Sequence, residues 1–190
     1  MATVFEPARQ LPVFGAFDVV VIGGGPAGLA ASTSAATRGA KVLLAERYGF
    51  LGGMGTAGGV TNFAGLYGRR NGVMRSVVRG AADELLERME SLGGLPRNEQ
   101  SAQGRAYNDL PWRMLVPPNV DNLLIAGRCA SMTHEGQSAA RASGACFVMG
   151  QAAGTAAPML ASNQWFADIN VPALQTALTA DGVYLDHENT

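Results

Sequence analysis

The sequence has few of the residues that mark metal, disulfide and nucleic-acid proteins. It holds only two cysteines and two histidines in 190 residues. The spacing of Cys129 and Cys146 matches neither a redox pair nor a metal-ligand set, so we expect no metal site and two buried free thiols. The 14 basic and 15 acidic residues leave a net charge of −1, which argues against nucleic acid as a partner.

Long apolar runs are also absent. Residues 1–18 carry Glu6 and two prolines before any apolar run, which is not the pattern of an export signal. The longest stretch of small residues, 139–160, is interrupted by Arg141 and Gln151 and predicts a packed helix rather than a membrane span. We therefore expect a cytoplasmic protein that does not bind a membrane.

The balance of apolar and charged residues suits one domain with a covered surface. Apolar residues make up 47% of the chain, enough for a core, and charged residues only 15%. A free monomer surface normally needs more charge than that. The composition therefore predicts that a cofactor or another subunit covers part of the surface.

Residues 18–46 predict a βαβ unit. The β-branched run Val19–Ile22 reads as a strand, the alanine-rich stretch Leu29–Thr37 as a helix, and Val42–Ala45 as a second buried strand. A unit of this length places its strands parallel with a right-handed crossover. The expected fold class is α/β, a Rossmann-like domain with a parallel sheet and flanking helices.

Two features follow the βαβ unit. Glycine is so frequent between residues 49 and 72 that the backbone is expected to approach a ligand there. Apolar residues then recur at helical spacing from Val77 to Leu92, and Gly93 with Gly94 supplies a stop signal. The pattern predicts an amphipathic helix with its apolar stripe in the core.

The second half of the chain repeats the order of strand, glycine and helix. Leu123–Ala126 predicts a third buried strand, which ends on Gly127 and leads into a long helix through about Leu160. The tail predicts a short helix from Pro172 and a turn at Asp181. No chemistry is assigned to the tail, and His187 within it is expected to be solvated.

The central motif is a G-x-G-x-x-G between the first strand and its helix. Gly23 permits a tight turn, Gly25 lets the backbone approach a pyrophosphate, and Gly28 lets the helix lie close to the strand. The helix that begins at Pro26 and Ala27 offers N–H groups and partial positive charge to that anion. The alternative is a tight turn with no ligand.

Glu46 ends the second strand, where an acidic residue binds an adenosine ribose. Its carboxylate would repel a 2′-phosphate, so NADP is the poorest dinucleotide candidate. The βαβ unit alone leaves NAD and FAD open.

Two further segments carry a family resemblance. "AERYGFLGGMGTAG" (45–58) and "VDNLLIAGRCASMTHEGQSAARASGACFVMGQAAGTAA" (120–157) resemble the FAD-dependent oxidoreductases of the glutathione-reductase-like superfamily with two dinucleotide-binding domains. The resemblance covers about residues 17–94 and 105–185. It implies FAD as the cofactor and an oxidoreductase activity.

The resemblance also implies contacts along the cofactor. Glu46 and Arg47 would contact the adenosine, and the last strand would reach the ribityl chain and the phosphates through Gly127 and Arg128. Arg128 is then a phosphate clamp, although an arginine at a strand end is also a common ion-pair partner. The residues implied between pyrophosphate and flavin are Gly53, Met54 and Thr56.

A helix that starts between Thr133 and Gln137 would direct its N–H groups at the edge of the flavin that becomes negative on reduction. That would raise the reduction potential of the flavin.

His134 and Glu135 lie where the family places residues near the flavin. His134 is the candidate catalytic base; alternatively it caps the helix or donates a hydrogen bond to the flavin without proton transfer. Cys129 has no neighbouring thiol for a disulfide mechanism.

Three further residues, Tyr67, Arg69 and Arg70, either line the flavin or form a solvated turn.

The segment 95–119 is short where the resembled family inserts a substrate-binding domain. About ten residues, 97–106, stand in its place, so we interpret 1–190 as a single FAD-binding domain with a shortened connection. Without that cover the flavin would face water, and a second subunit in a homodimer or larger homo-oligomer is expected to cover it.

Three functions stay open: an oxidoreductase of a small organic substrate, an electron-transfer component that works with a partner protein, or a non-catalytic FAD-stabilised protein. No second G-x-G-x-x-G stands directly between a predicted strand and a predicted helix, so a dedicated NADH-binding domain is not expected.

Overall fold

A computed structural model describes residues 4–60, 62–94, 108–160 and 164–185. The elements, in chain order, are β1 (Val19–Ile22), α1 (Pro26–Thr37), β2 (Val42–Ala45), β3 (Tyr67–Arg70), β4 (Val73–Ser76), α2 (Ala81–Ser91), α3 (His134–Ala140), α4 (Ser143–Ala156) and α5 (Val171–Ala180). Short 3₁₀ turns lie between them, including Gly53–Gly55, Trp112–Met114 and Gly127–Cys129. The segment 95–107, within the shortened connection, lies outside the described residues.

The βαβ unit forms as its pattern predicts. β1 and β2 pair in parallel, with Val19 opposite Val42 and Ile22 opposite Ala45. Gly39 ends the turn after α1 with a φ of 84°, a value that suits glycine. The α/β fold class and the Rossmann-like arrangement are confirmed.

Helices α1 and α4 pack together so closely that side chains are excluded. A Cβ at Gly150 would overlap the carbonyl oxygen of Ala27, and one at Gly154 would overlap that of Ala31. Glycines four residues apart on one helix face allow two backbones to touch. This crossing fixes the second half of the chain against the start of the βαβ unit.

The hairpin of β3 and β4 was not predicted. Asn71 and Gly72 join the antiparallel strands with φ values of 49° and 78°, which is the signature of a type I′ turn. The Asn71-Gly72 dipeptide is the sequence signal for such a turn, and it was overlooked among the many glycines of residues 49–72. The expectation of a solvated turn was wrong for Tyr67, Arg69 and Arg70, because all three lie in β3. Tyr67 is half-buried and packs on the core.

The predicted third strand is wrong. Leu123–Ala126 is extended at its end, with φ −128° and ψ 158° at Ala126, but no ladder includes it within the described residues. Its Ile125 N–H donates instead to the carbonyl of Leu115, at 2.8 Å. A short apolar run predicts an extended backbone, whereas a strand also needs a neighbour with which to pair.

The predicted long helix is two helices, because Ala142 is extended (ψ 156°) between α3 and α4. The N–H of Gly144, in the first turn of α4, donates to the carbonyl of Ala64 in the glycine-rich loop, at 3.0 Å.

The amphipathic helix is shorter than its apolar pattern. α2 begins only at Ala81, its residues Ala82 and Leu86 are buried in the core, and Gly93 stops it as predicted. Leu92, expected in the core stripe, is exposed instead, because it lies past the last helical turn. At the C-terminal end, the side chain of Asn170 caps α5 through the N–H of Ala173, and the predicted turn follows at Asp181.

Across the described part of the chain, no helix is both long and apolar enough to cross a membrane.

Candidate functional site

The glycine-rich turn between β1 and α1 is built as its motif predicts. Gly23 has a φ of 97°, and its N–H extends the ladder to the carbonyl of Ala45, at 2.8 Å. A Cβ at Gly28 would overlap the carbonyl oxygen of Gly23. Both glycines are therefore required by the chain itself.

Gly25 differs from these two glycines. Its backbone is ordinary, with φ −75° and ψ −174°. The nearest atom to a Cβ placed there would be the Cα of Gly53, at 4.0 Å, an unstrained contact. Neither conformation nor packing within the described chain explains the missing side chain, so the position is free for close approach by a ligand.

The start of α1 presents hydrogen-bond donors beside Gly25. The first N–H groups of a helix, here including those of Ala27 and Gly28, have no partner within the helix. No acidic residue occupies the first turn of α1. This end of the helix can therefore receive an anion.

Glu46 is oriented by main-chain N–H groups before any ligand arrives. Its Oε2 accepts from Gly24 at 2.6 Å, and its Oε1 accepts from Arg47 at 2.7 Å and from Tyr48 at 3.1 Å. The Gly24 N–H, more than that of Tyr48, lowers the pKa of the Glu46 carboxyl below its ordinary value. The group is thus an ionised acceptor beside the glycine turn, as the ribose role requires.

The loop after Glu46 is bonded to the glycine turn. The N–H of Gly52 donates to the carbonyl of Gly24, at 2.8 Å. A Cβ at Gly53 would lie 2.9 Å from the Cα of Gly25, and Gly53 itself has a φ of 55°. The Thr56 hydroxyl donates to the carbonyl of Leu51, at 2.7 Å. The structure therefore brings the two predicted glycine segments together.

Met54 is exposed between Gly53 and Gly55. Arg47 lies over the ring of Tyr48 at 5.0 Å, and that ring stacks on Phe50 with centroids 5.7 Å apart. Sequence reasoning missed Gly24, Gly52, Tyr48 and Phe50. The sequence did contain a signal for Gly24 and Gly52, because the fingerprint requires only Gly23, Gly25 and Gly28 and leaves these further glycines unexplained.

The turn at Gly127–Cys129 reaches the same region from the other half of the chain. Gly127 has a φ of 73°, and a Cβ there would lie 3.0 Å from the Cβ of Ala27. Arg128 follows it and is exposed. The predicted contacts at Gly127 and Arg128 thus lie beside the beginning of α1.

His134 is the first residue of α3, which packs against the turn at Gly127–Cys129. Thr133 caps the helix by accepting from the N–H of Gly136, at 3.1 Å, so the predicted helix start is right and the cap is Thr133 rather than His134. His134 and Glu135 are both exposed. Their side chains are therefore accessible to a ligand.

One of the two expected buried thiols is in fact exposed. Cys146 is buried on α4, and burial raises the pKa of its thiol. Cys129 is exposed because it lies in the turn at Gly127–Cys129.

Comparison with known proteins identifies the family of the chain. The family described as FAD dependent oxidoreductase matches residues 18–109 and 96–178. Dihydrolipoyl dehydrogenase of Trypanosoma brucei brucei is 49% identical over 45 residues, which are 24% of this chain and 9% of that protein. The chain thus matches about a tenth of that relative's length. No solved structure matches the chain. Because the family matches cover well over half of the sequence, the protein belongs to the FAD-dependent oxidoreductase family.

Proposed function

We propose that the chain binds FAD at the glycine turn and moves hydride or electrons between a small organic molecule and that FAD. The observation that carries the proposal is Gly25, where nothing in the described chain requires a glycine. A pyrophosphate in contact with the backbone supplies the missing reason. The turn lies at the carboxyl end of parallel strands, where α/β folds bind their ligands.

The described residues fit the adenosine and pyrophosphate parts of FAD. The pyrophosphate receives the N–H groups at the start of α1, which is free of acidic side chains in its first turn. The ribose hydroxyls donate to Glu46, which is already oriented and ionised. Arg47 lies next to it for the adenosine.

Two parts of the chain contact the cofactor between the pyrophosphate and the flavin. Gly53, Met54 and Thr56 contact the region between pyrophosphate and flavin, and Gly127 with Arg128 contacts the ribityl chain and phosphates. Bound FAD supplies the two-electron carrier, and the protein supplies binding, orientation and charge. The exposed guanidinium of Arg128 adds positive charge near the phosphates.

His134 exchanges a proton with the substrate in this proposal. His134→Gln is expected to slow flavin reduction by the substrate by about 100-fold or more and to leave FAD retention unchanged. Glu135→Gln serves as the matched control, and equal rates in the two variants would refute the role.

The direct test uses the purified protein. We expect a yellow flavin spectrum that corresponds to one FAD per chain, and bleaching when the protein is mixed anaerobically with NADH or a candidate organic substrate. A colourless protein that takes up no FAD at saturating concentration contradicts the proposal.

A second candidate function is an electron-transfer component that receives electrons from a partner protein. The short connection between α2 and the turn at Trp112 favours it, because the resembled family covers the flavin there. In that case small molecules leave the flavin oxidised and only a protein reductant bleaches it.

A second subunit covers the exposed flavin in this account. The low charge of the chain, 15% of its residues, favours such a covered surface. Light scattering that finds the FAD-bound protein to be a monomer would contradict this part.

A further inference from the structure

The apolar outer face of the small parallel sheet is uncovered. Val20 and Ile22 of β1 have exposed fractions of 54% and 80%. The opposite face packs on α1, since a Cβ at Gly28 would lie 3.5 Å from Val21 Cγ1. Parallel sheets are normally buried on both faces. Exposure of this size in β1 therefore indicates a surface that is covered in the working assembly.

The same two residues also carry unpaired backbone groups. The N–H groups of Val19 and Gly23 point towards β2: they donate to the carbonyl of Lys41, just before that strand, and to the carbonyl of Ala45 at its end. Because backbone groups alternate along a strand, those of Val20 and Ile22 point away from β2. Within the described residues β1 pairs only with β2, so this edge is open to another strand.

We propose that two copies of the chain pair through this edge, β1 against β1 in antiparallel register about a twofold axis. The register is self-complementary: Val20 lies opposite Ile22 of the partner subunit, and the partner's Val20 lies opposite Ile22. Both residues direct their backbone groups outward, so both pairs are hydrogen-bonded pairs. The four exposed apolar side chains then form one continuous face, with no charged side chain in either strand. Such isologous contacts are the commonest route to a homodimer.

A second exposed apolar segment packs on the partner subunit in the same dimer. Residues 4–17, the arm that precedes β1, contain no helix or strand, and Phe5 and Phe14 are 88% and 87% exposed. Antiparallel pairing directs the arm of one copy past the carboxyl end of the partner's β1, where the glycine turn lies. The loop beside that turn exposes apolar side chains of its own: Tyr48, Phe50, Leu51 and Met54. The arm therefore covers the partner's cofactor site.

Only the role of the arm rests on the proposed FAD function. The pairing of β1 uses backbone groups and apolar side chains alone, so it is expected with and without FAD. The two claims can thus fail separately.

The test of the pairing measures molar mass by light scattering for the parent chain without FAD. We expect a dimer. The double variant Val20→Lys with Ile22→Lys places ammonium groups opposite each other across the axis and is expected to be a monomer. The double variant Val20→Lys with Ile22→Glu places opposite charges there and is expected to restore the dimer. The control Val73→Lys changes a strand residue that is also 54% exposed, and is expected to remain a dimer.

Three results would overturn the pairing. These are a monomeric parent chain, a dimer of unchanged affinity when both positions are lysine, or a folded monomer when the charges are opposite. Far-ultraviolet circular dichroism establishes that each variant is folded, and the opposite-charge variant keeps the test decisive if the two-lysine variant unfolds.

The role of the arm is tested on the FAD-loaded dimer. The double variant Val13→Ser with Phe14→Ser is expected to remain dimeric and to make the bound flavin more accessible to quenching by iodide. Equal quenching in parent and variant would overturn the role of the arm. A parent chain that binds no FAD would contradict the proposed function, while the molar masses would still decide the pairing.

Discussion

The crossing of α1 and α4 and the mouth of the glycine turn use the same residue type for opposite reasons. At the crossing, a Cβ on Gly150 or Gly154 would overlap the backbone of α1. At the mouth, a Cβ on Gly25 would meet no strained contact. The first region is closed by the protein itself, whereas the second is open. The ordinary backbone and empty side-chain space at Gly25 therefore indicate a ligand, whereas the filled space at Gly150 and Gly154 indicates packing.

The largest effects are expected at the closed region. Gly150→Ala and Gly154→Ala each force the α1 backbone away, and overpacking of a fixed backbone is expected to cost more than about 3 kcal/mol of unfolding free energy. Urea denaturation measures it. Gly136→Ala is the matched control, because its Cβ would lie 3.4 Å from the hydroxyl oxygen of Thr133 on the exposed helix α3. Equal stability of the Gly150 and Gly136 variants would remove the distinction between the regions.

Two buried polar side chains lie on α4, which forms one side of the closed region. Gln151 on α4 is buried, and its Oε1 accepts from the N–H of Ala81 at the start of α2, at 3.1 Å. Gln151→Leu leaves that donor unpaired and is expected to cost about 1–3 kcal/mol in urea denaturation.

Thr155, one turn along the same helix, is the matched contrast. Its buried hydroxyl has no hydrogen-bond partner within the described structure, so Thr155→Val is expected to raise the unfolding free energy by about 1 kcal/mol or less. A loss of stability comparable to that of Gln151→Leu would show that the hydroxyl has a partner after all.

The smallest effect concerns acid stability at the open region. Because hydrogen bonds hold the pKa of Glu46 below its ordinary value of 4.5, its carboxylate stabilises the fold above that pH, and the contribution is lost as the pH falls through the lowered pKa. The stability advantage of the parent chain over Glu46→Gln is therefore expected to be constant from pH 7 down to about 4.5 and to shrink below it. An advantage that grows on acidification would contradict the sign.

The βαβ unit was predictable because its signals are local. The β-branched strands, the alanine-rich helix and the spacing of Gly23, Gly25 and Gly28 each depend on neighbouring residues, and the structure confirms them. Thr133 as a helix start was predictable for the same reason.

What the sequence did not reveal depends on distant partners. The run Leu123–Ala126 looks like a strand, but whether it pairs is decided by what lies beside it, and Ile125 bonds to Leu115 instead. The long helix is broken at Ala142 beside the contact of Gly144 with Ala64. Gly24 donates to Glu46 across 22 positions of sequence, a contact that no local pattern contains.

The most direct test of the account is FAD affinity measured for Gly25→Leu by fluorescence titration, together with its thermal unfolding without FAD. A side chain in the open space is expected to weaken FAD binding by a factor of about 100 or more, while the melting temperature of the cofactor-free protein changes little. Unchanged FAD affinity, or a loss of affinity that merely follows unfolding, would contradict the claim that the glycine turn is kept open for the cofactor.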